Sequence, residues 1–516
     1  MLFPNEQLKT PVGHGRTLIV PPAGAWGKAA VDTHRRLGTG GPIIVGRPLA
    51  EWRRETREAL VGDPHRLLVV LGHQPAFIHP GVWAKHILAD RLARAIGGLA
   101  VNLVVDTDVP KSSELAVPST EGGTDALGRV VFPHGSYRVP FEHLPLQSVE
   151  QVGRFSEDLR KIMRDRFDRS QIPVYVEGVR AAKAPADWVD QAVAGRKAID
   201  HKFGIHLAEH RISRHWCTPL VVDMIQNASR FTAAYNHALA VYRDRHRIRG
   251  TRRPMPDLEC APARCELPLW LERPGGRRHR LFLSRGGGLR FYADQELIAE
   301  CSAEAVRTPD ALSRMFADLE GWVLRPRAIA LTLWARLLLA DFFIHGIGGA
   351  KYDQITDQIM AGYYEVEPPA MACASATLHL DLGLGPIAAE AVGDLQRRIR
   401  DVRWNPQRYV RPSSETAALF ELREAAVRAA QELKASDWKN HGARRKAFLA
   451  IRQASRSLLD TGPELLVRLR AALDRSQAAG ASRRIACGRT YFFGLFDDTT
   501  LERLISALPG PSDFRV

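Results

Sequence analysis

The chain has 516 residues, of which 45% are hydrophobic and 25% are charged, a composition typical of a folded globular protein. This length exceeds one ordinary core and predicts two or three domains. The 72 Lys and Arg residues outnumber the 57 Asp and Glu residues and give a formal net charge of +15, which favours anionic partners. Because the basic residues are interleaved with acidic ones, we expect phosphorylated or carboxylated small molecules before nucleic acid.

Cysteine content and the apolar segments indicate a cytoplasmic protein. The six cysteines are too few and too scattered for a disulfide framework, and they are Cys217, Cys260, Cys265, Cys301, Cys373 and Cys487. The N-terminal residues lack the charged start and apolar core of a signal peptide. The most apolar segment, residues 328–347, contains Arg336, Asp341 and His345, so we expect no membrane span.

Residues 67–96 predict a strand, a polar loop and a helix. The apolar residues 67–71 are typical of a buried strand, and Trp83, Ile87, Leu88, Leu92 and Ile96 share one helix face. Residues 49–60 predict an earlier helix. In open α/β sheets, ligands bind beside loops that follow strands in this way.

The loop and helix start carry polar groups suited to a phosphate or carboxylate. The expected ligand contacts are Gly72, His73, Gln74, His79, Gly81 and Lys85. A helix N-terminus adds unpaired N–H groups and a favourable dipole. The alternative is a surface loop whose histidines only cap the helix.

Residues 101–105 predict a second strand, which ends at Asp106 and Asp108. Carboxylates at this edge of a sheet could bind a hydroxyl, an amine or Mg²⁺. A turn with side-chain hydrogen bonds is the alternative.

Residues 149–167 predict a helix, residues 171–178 a strand and residues 184–210 a further helix. Within the last segment, His206, Glu209 and His210 match the H-x-x-E-H pattern. Two histidines four apart on a helix could bind Zn²⁺, so a zinc hydrolase is one alternative function. A polar helix face is the preferred interpretation, because the pattern lacks its context.

Residues 230–249 predict a basic helix with aromatic side chains, which could line an anionic pocket, meet RNA or simply be solvated. Cys260 and Cys265 have no second ligand pair, which gives little support to a zinc site. Residues 266–270, 278–284 and 289–292 predict a small antiparallel β insertion with Gly-rich turns.

A second polar region follows Leu324-Arg325-Pro326. We expect a long apolar helix that ends at His345, a glycine cluster and then a helix from Tyr352 to Met360. Glycines before a helix free backbone N–H groups for an anion, and a lysine adds charge. The expected contacts are His345, Gly346, Gly348, Gly349, Lys351 and Asp353. The spacing is neither a P-loop nor G-x-G-x-x-G, and a glycine helix stop is the alternative.

From residue 385 the chain is rich in Ala, Leu, Arg and Glu, and residues 387–402, 413–434 and 443–473 predict long helices. Such an α-hairpin or coiled-coil arm commonly mediates dimers. Residues 487–508 predict a packed tail with aromatic core residues.

The motifs resemble those of the cysteine-adding enzyme family of bacillithiol biosynthesis. The segment GHQPAFIHPGVWAKH is similar to its G-x-Q…G-P…K segment, and His79-Pro80-Gly81 resembles the HxGH signature of class I nucleotidyltransferase-like domains. Asp106 and Asp108 resemble an acidic cluster of that family. Leu324-Arg325-Pro326 and Gly348-Gly349 resemble its L-R-P and A-Y-x-G-G-P-x-E motifs.

This resemblance implies an α/β Rossmann-like core with a small inserted β region and a C-terminal helical domain. The expected divisions are a first core part (1–225), a helix with the β insertion (226–310), a second core part (311–384), a helical arm (385–480) and a tail (481–516).

The resemblance also implies an amide-bond-forming ligase that adds cysteine to a glucosaminyl-malate acceptor. The expected catalytic residues are Gln74, His79, Asp106 and Asp108, the expected nucleotide is ATP or ADP, and a need for Mg²⁺ is left open. A homodimer through the arm is expected. An RNA- or tRNA-associated protein is the other alternative function.

Overall fold

The computed structural model describes residues 6–119, 126–134, 139–215, 218–248, 255–262, 264–319, 321–382, 392–437 and 439–516. Cys217 and Arg249 lie outside these residues, as does the predicted start of the arm at residues 385–391. The described residues form two compact units. The first comprises the described residues within 6–119, 127–380 and 487–516, and the second comprises residue 126 and the described residues within 381–486.

The strands are β1 Arg16–Val20, β2 Ile43–Ile44, β3 Arg47–Pro48, β4 Leu68–His73, β5 Leu99–Val104, β6 Glu114–Ser119, β7 Ala126–Val131, β8 Ala208–Arg211, β9 Cys260–Ala261, β10 Arg264–Glu272, β11 His279–Arg285, β12 Leu289–Ala293, β13 Glu296–Cys301, β14 Val323–Pro326, β15 Phe342–His345 and β16 Ala370–Thr377.

The helices are α1 Trp26–Leu37, α2 Leu49–Val61, α3 Pro80–Ala95, α4 Val149–Met163, α5 Ile172–Arg180, α6 Trp188–Lys202, α7 Pro219–Gln226, α8 Ala228–Arg245, α9 Pro309–Ala317, α10 Ala328–Trp334, α11 Ile347–Gly362, α12 Val392–Trp404, α13 Ala417–Ser436, α14 His441–Asp460, α15 Glu464–Ala486 and α16 Asp498–Ala507.

The first unit is a mixed α/β structure built on a six-stranded sheet of order β1-β16-β15-β4-β5-β8. Strand β1 runs antiparallel to β16, and the other neighbours are parallel. The chain moves outward from β4 through β5 to β8, then returns to place β15 and β16 on the other side of β4. The winding direction therefore changes between β4 and β15, where a crevice at the strand ends suits ligands.

Burial explains why the two predicted central strands form. Residues Leu68 to Leu71 of β4 are fully buried, and so is most of β5. A parallel strand covered on both faces needs a nearly continuous apolar run. Leu68 and Val70 join the main core with residues of α7, α8 and α11. The strands predicted at residues 67–71 and 101–105 are confirmed.

A second, antiparallel sheet has the order β13-β12-β11-β10-β14, and β9 pairs with β10. This sheet confirms the predicted β insertion and extends it, since Val323–Pro326 adds an edge strand beside β10. Cys260 and Cys265, across the β9–β10 pairing, form a disulfide.

Three predicted elements are wrong. Residues 171–178 form helix α5 and not a strand, because Ile172, Tyr175, Val176 and Val179 recur at helical spacing on its buried face. The apolar segment after residue 328 does not remain helical. It ends in a π-helical turn, Ala335–Leu339, and strand β15 follows.

The helix predicted over residues 184–210 is also wrong at its C-terminal end. Helix α6 ends at Lys202, and Gly204 follows in a left-handed conformation with φ of 69°, which stops the helix. Residues 208–211 then form β8. The helix after the glycine cluster begins at Ile347, earlier than the predicted Tyr352.

The second unit is helical, which confirms the predicted helical segments. It contains α12, α13, α14 and α15, with a small core of Leu395, Ile399, Val402 and Leu469. The predicted third helix is divided, since α14 ends at Asp460 and α15 begins at Glu464. In the described part of the chain, no helix has both the length and the apolar character needed to cross a bilayer.

Candidate functional site

The loop between β4 and α3 places His79 at the helix N-cap. Its Nδ1 accepts a hydrogen bond from the Gly81 amide at 3.0 Å. Burial, with Arg489 and Lys85 nearby, lowers the pKa of His79 to about 4. The imidazole is therefore neutral near pH 7, and its proton lies on Nε2, which can donate to a ligand. His79 therefore caps the helix, as the alternative interpretation of the sequence proposed, and its Nε2 remains available for binding.

His73 ends β4 and is also neutral near pH 7. Its Nδ1 lies 3.0 Å from the Gln74 carbonyl oxygen, which can only accept, so Nδ1 carries the proton. Burial and the neighbouring Lys85 lower the pKa of His73 to about 3. The two histidines thus present opposite tautomers, with Nε2 an acceptor in His73 and a donor in His79.

Lys85 is a buried cation one turn into α3. Its side chain is 3% exposed, and Nζ donates to the Gly72 carbonyl at 3.1 Å. Burial lowers the pKa of Lys85 to about 8. No carboxylate of the described residues forms an ion pair with it. A buried ammonium without a counter-ion is costly, and an anionic ligand would relieve that cost.

Cys373 of β16 is a further residue near this region that the sequence did not predict. It is fully buried in β16, paired with His345 of β15. Burial raises the pKa of its thiol to about 12, against the electrostatic influence of Lys85 and Lys351. Both lysines are therefore within electrostatic range of the same buried sulfur. The β4 loop and the glycine cluster follow neighbouring parallel strands, so they leave the same edge of the sheet.

The glycine cluster forms the N-terminus of α11, with Gly346 at the N-cap and no side chain capping the helix. Gly348 and Gly349 are exposed. A Cβ on Gly349 would lie 2.8 Å from His345 Nδ1, whereas a Cβ on Gly348 would meet nothing within 4 Å. Gly349 lets the histidine ring pack on the first turn, and Gly348 leaves that turn open to an anion.

His345 and Asp353 form a buried pair beside this helix start. His345 Nε2 lies 2.7 Å from Asp353 Oδ2, which also accepts from Arg336 Nη1 at 2.6 Å. Although burial opposes ionisation, Arg336 and His345 hold the pKa of Asp353 well below its usual value. Asp353 therefore orients His345 and does not face the crevice as a free carboxylate.

The two predicted acidic residues after β5 have different environments. Asp106 is fully buried and accepts hydrogen bonds from Arg211 Nε at 2.7 Å and from Ser213 Oγ at 2.6 Å. Its oxygens fix the loop and are not free to hold an amine or a metal. Asp108 is half-exposed and accepts from Gln74 Nε2 and from Arg278 Nη1. Gln74 and Asp108, both predicted as catalytic, are thus in direct contact.

The N-terminus of α3 lies very close to β16. A Cβ on Gly81 would be 2.6 Å from Ser375 Oγ and 2.8 Å from the Ala376 carbonyl. Arg489 bridges this contact, donating to Ser375 Oγ at 2.9 Å. Arg489 comes from the C-terminal segment, so no local sequence pattern could have placed it here.

Cavities near the strand ends include two of about 20 Å³ and one of about 180 Å³. A small one of about 20 Å³ adjoins His73, Gln74 and Arg196, and room of that size suits a single water-sized group. A larger one of about 180 Å³ lies at the ends of β5 and β8, beside His210, Arg214 and His215. A ligand larger than these volumes must enter from the open side of the crevice.

The histidine pattern considered for zinc does not form a metal site. Residues 208–211 are extended, so side chains four residues apart are separated by roughly 13 Å of strand. Glu209 is paired with Arg196 at 2.6 Å. Among the described residues, the one group with metal-ligand spacing contains other side chains. The zinc-hydrolase alternative required His206 and His210 on one helix, and these residues are not helical.

No protein-family model matches the chain, and no curated protein is significantly similar to it.

Proposed function

We propose that the protein binds an anionic small molecule, a nucleotide or another phosphorylated or carboxylated compound, in a Rossmann-like core. Counted along the chain, the parallel strands β4, β5, β8, β15 and β16 lie in the order 3-2-1-4-5. This is the strand order of dinucleotide-binding folds, whose ligands lie where the winding direction changes. The proposed site occupies that position, between β4 and β15.

The observation that carries the proposal is the pair of lysines near Cys373. Lys85 is buried and pairs with no carboxylate among the described residues, and Lys351 of α11 acts electrostatically on the same Cys373 thiol that Lys85 influences. Together with the uncapped first turn of α11 they form a locally positive region at the strand ends. A phosphate or carboxylate fits this region, because it would receive both charges and the free backbone N–H groups.

The residues fit an anionic group better than the ribose of a dinucleotide. In such folds an acidic residue after the second strand holds the ribose hydroxyls. Here that position belongs to Asp106, whose oxygens are occupied by Arg211 and Ser213. We therefore assign the phosphate or carboxylate to the lysine region and leave Asp106 a structural role.

The reaction that we propose is amide-bond formation in low-molecular-weight thiol biosynthesis, following the resemblance to cysteine-adding enzymes. His79 Nε2–H could stabilise negative charge that develops on a carbonyl oxygen. Gln74 and Asp108 could position the attacking amine, since they form a connected polar pair at the crevice edge. ATP or ADP and cysteine are the proposed ligands, and a homodimer through the second unit is the proposed assembly.

Calorimetric titration of the full chain with ATP, ADP, citrate, malate and cysteine tests the binding. We expect one anion to bind and to raise the melting temperature, because a ligand selective for the folded state stabilises it. Lys85→Met and Lys351→Ala should each weaken that binding by about tenfold or more. Lys28→Ala, an exposed lysine of α1, is the matched control and should bind normally.

Loss of binding in both site variants would justify an assay with cysteine and a glucosaminyl-malate acceptor. Equal affinity in Lys85→Met, Lys351→Ala and the control would place the anion elsewhere and refute the site. If none of these ligands binds, the ligase proposal fails. Salt-dependent binding of mixed RNA would then support the RNA-associated alternative.

A further inference from the structure

A cluster of Glu142, His143 and Glu272 lies outside the proposed anion site. One ligand atom from each side chain lies within 4.8 Å of the others. Glu142 and His143 belong to a short helical turn fixed on the loop after β5, where the Phe141 amide donates to the Asp108 carbonyl and the Glu142 amide to the Asp106 carbonyl, both at 2.9 Å. Glu272 ends β10 of the second sheet. The cluster thus joins two separate elements of the first unit.

Two of the ligand atoms are buried without a hydrogen-bond partner among the described residues. These are Oε1 of Glu272, a side chain that is 1% exposed, and Nε2 of His143. They face each other at 3.9 Å. Leaving a buried acceptor unsatisfied is costly, so this geometry calls for a bridging group between the two atoms.

The neighbouring arginines orient the carboxylates, and Arg325 Nε comes no closer than 4.0 Å to Glu272 Oε1, which is beyond hydrogen-bonding distance. Arg325 binds both oxygens of Glu142, with Nε at 2.8 Å and Nη2 at 2.6 Å. Arg278 donates to Glu272 Oε2 at 3.3 Å and is shared with Asp108. Two guanidinium groups are therefore shared among three carboxylates.

The unsatisfied atoms have the spacing of ligands to one ion. Atoms about 2.0–2.2 Å from a metal can lie up to roughly 4.2 Å apart, and the 3.9 Å between His143 and Glu272 falls within that limit. The third ligand, Glu142, must give up one of its two hydrogen bonds to Arg325 and turn that oxygen toward the ion by side-chain rotation. An imidazole with two carboxylates favours first-row transition ions over Mg²⁺ or Ca²⁺.

We propose that Glu142, His143 and Glu272 bind a divalent transition-metal ion of the Zn²⁺ or Mn²⁺ type. The ion joins the end of β10 to the loop after β5. It lies at the crevice edge, because Arg278 connects Glu272 to Asp108, and Asp108 contacts Gln74. This site does not depend on the anion-binding proposal.

Titration of the chelator-treated full chain with ZnCl₂ and MnCl₂ tests the site. We expect one tightly bound ion per chain, a raised melting temperature and much weaker binding of Mg²⁺. Binding of Co²⁺ should give visible absorption bands of a nitrogen- and oxygen-ligated ion. His143→Gln and Glu272→Gln should each weaken binding by about tenfold or more, since each removes one ligand with little change of shape.

The matched control is His279→Gln, in the same sheet but paired with Asp294 at 3.0 Å. It should bind the ion as the unmodified protein does. Absence of stoichiometric binding, or equal affinity in both site variants and the control, would overturn the proposal. If Glu272→Gln does not fold, as circular dichroism would show, His143→Gln decides the result because its side chain is 19% exposed and outside the main core.

Discussion

Lys85 is the residue whose chemistry depends most on the fold. Its amine is almost completely enclosed by α3, and it has one backbone hydrogen bond for three potential donors. Sequence alone marked Lys85 as a cation beside a polar loop. The enclosure arises because α3 packs tightly against β16 through Gly81, a contact between segments nearly 300 residues apart.

Replacing this residue should stabilise the protein. At pH 7 the folded chain carries the cost of a buried ammonium, so Lys85→Met should raise the free energy of unfolding by roughly 1–3 kcal/mol. Between pH 8 and 10.5 the unfolded chain holds a proton that folded Lys85 has lost, so this residue makes stability rise with pH. Urea unfolding at several pH values should show a smaller rise in the variant, and lower stability of the variant at pH 7 would contradict this account.

At the scale of a single helix, Gly348 and Gly349 of α11 are a matched pair of positions for substitution. Gly349→Ala places a methyl group against His345 Nδ1 and should destabilise the protein by about 1–3 kcal/mol. Gly348→Ala meets no atom and should be neutral or stabilising by up to about 1 kcal/mol, while hindering the approach of an anion. Denaturant unfolding and anion titration of both variants would separate the two effects. Equal destabilisation by both substitutions would refute the packing argument.

The elements that the sequence predicted best are those whose neighbours are local. Strand β4, its loop and α3 form one continuous pattern in the sequence. Strand β15 itself was missed because its three apolar residues, Phe342 to Ile344, continue the apolar character of α10. Periodicity cannot distinguish a buried strand from a buried helix over so short a segment. Strand β8 was missed because pairing with β5, a tertiary interaction, decides its conformation.

The residues missed at the candidate site are those supplied by distant segments. Cys373 looked like an isolated cysteine, and only the β15–β16 pairing brings it near Lys85 and Lys351. The sequence feature that could have located this cysteine is the run of small residues around it, MACASAT, because small side chains permit the close approach of α3. Glu272 and His143 are 129 positions apart in the sequence, and no spacing rule relates them.

At the scale of the whole molecule, the two units should unfold separately. The second unit has a small core, and its side chains Leu422, Phe448, Leu449 and Val467 are exposed, so its helices are stabilised by little burial. We expect calorimetry to show a weaker transition at lower temperature and a main transition of the first unit. A bound anion should raise only the main one. A single transition that shifts as a whole would show that the units are energetically coupled.

The C-terminal segment completes the loop beside His79. The Phe493 amide donates to the Ile78 carbonyl at 2.9 Å, and the Phe493 ring stacks on Trp83 at 4.7 Å. Arg489 from the same segment lies against Gly81 of α3 and donates hydrogen bonds to Ser375 and Ala376 of β16. During synthesis on the ribosome, these contacts cannot form until the segment after the helical arm has been translated. Until then the nascent chain lacks the contacts that complete the crevice. A chain truncated after the helical arm would therefore not form a competent site.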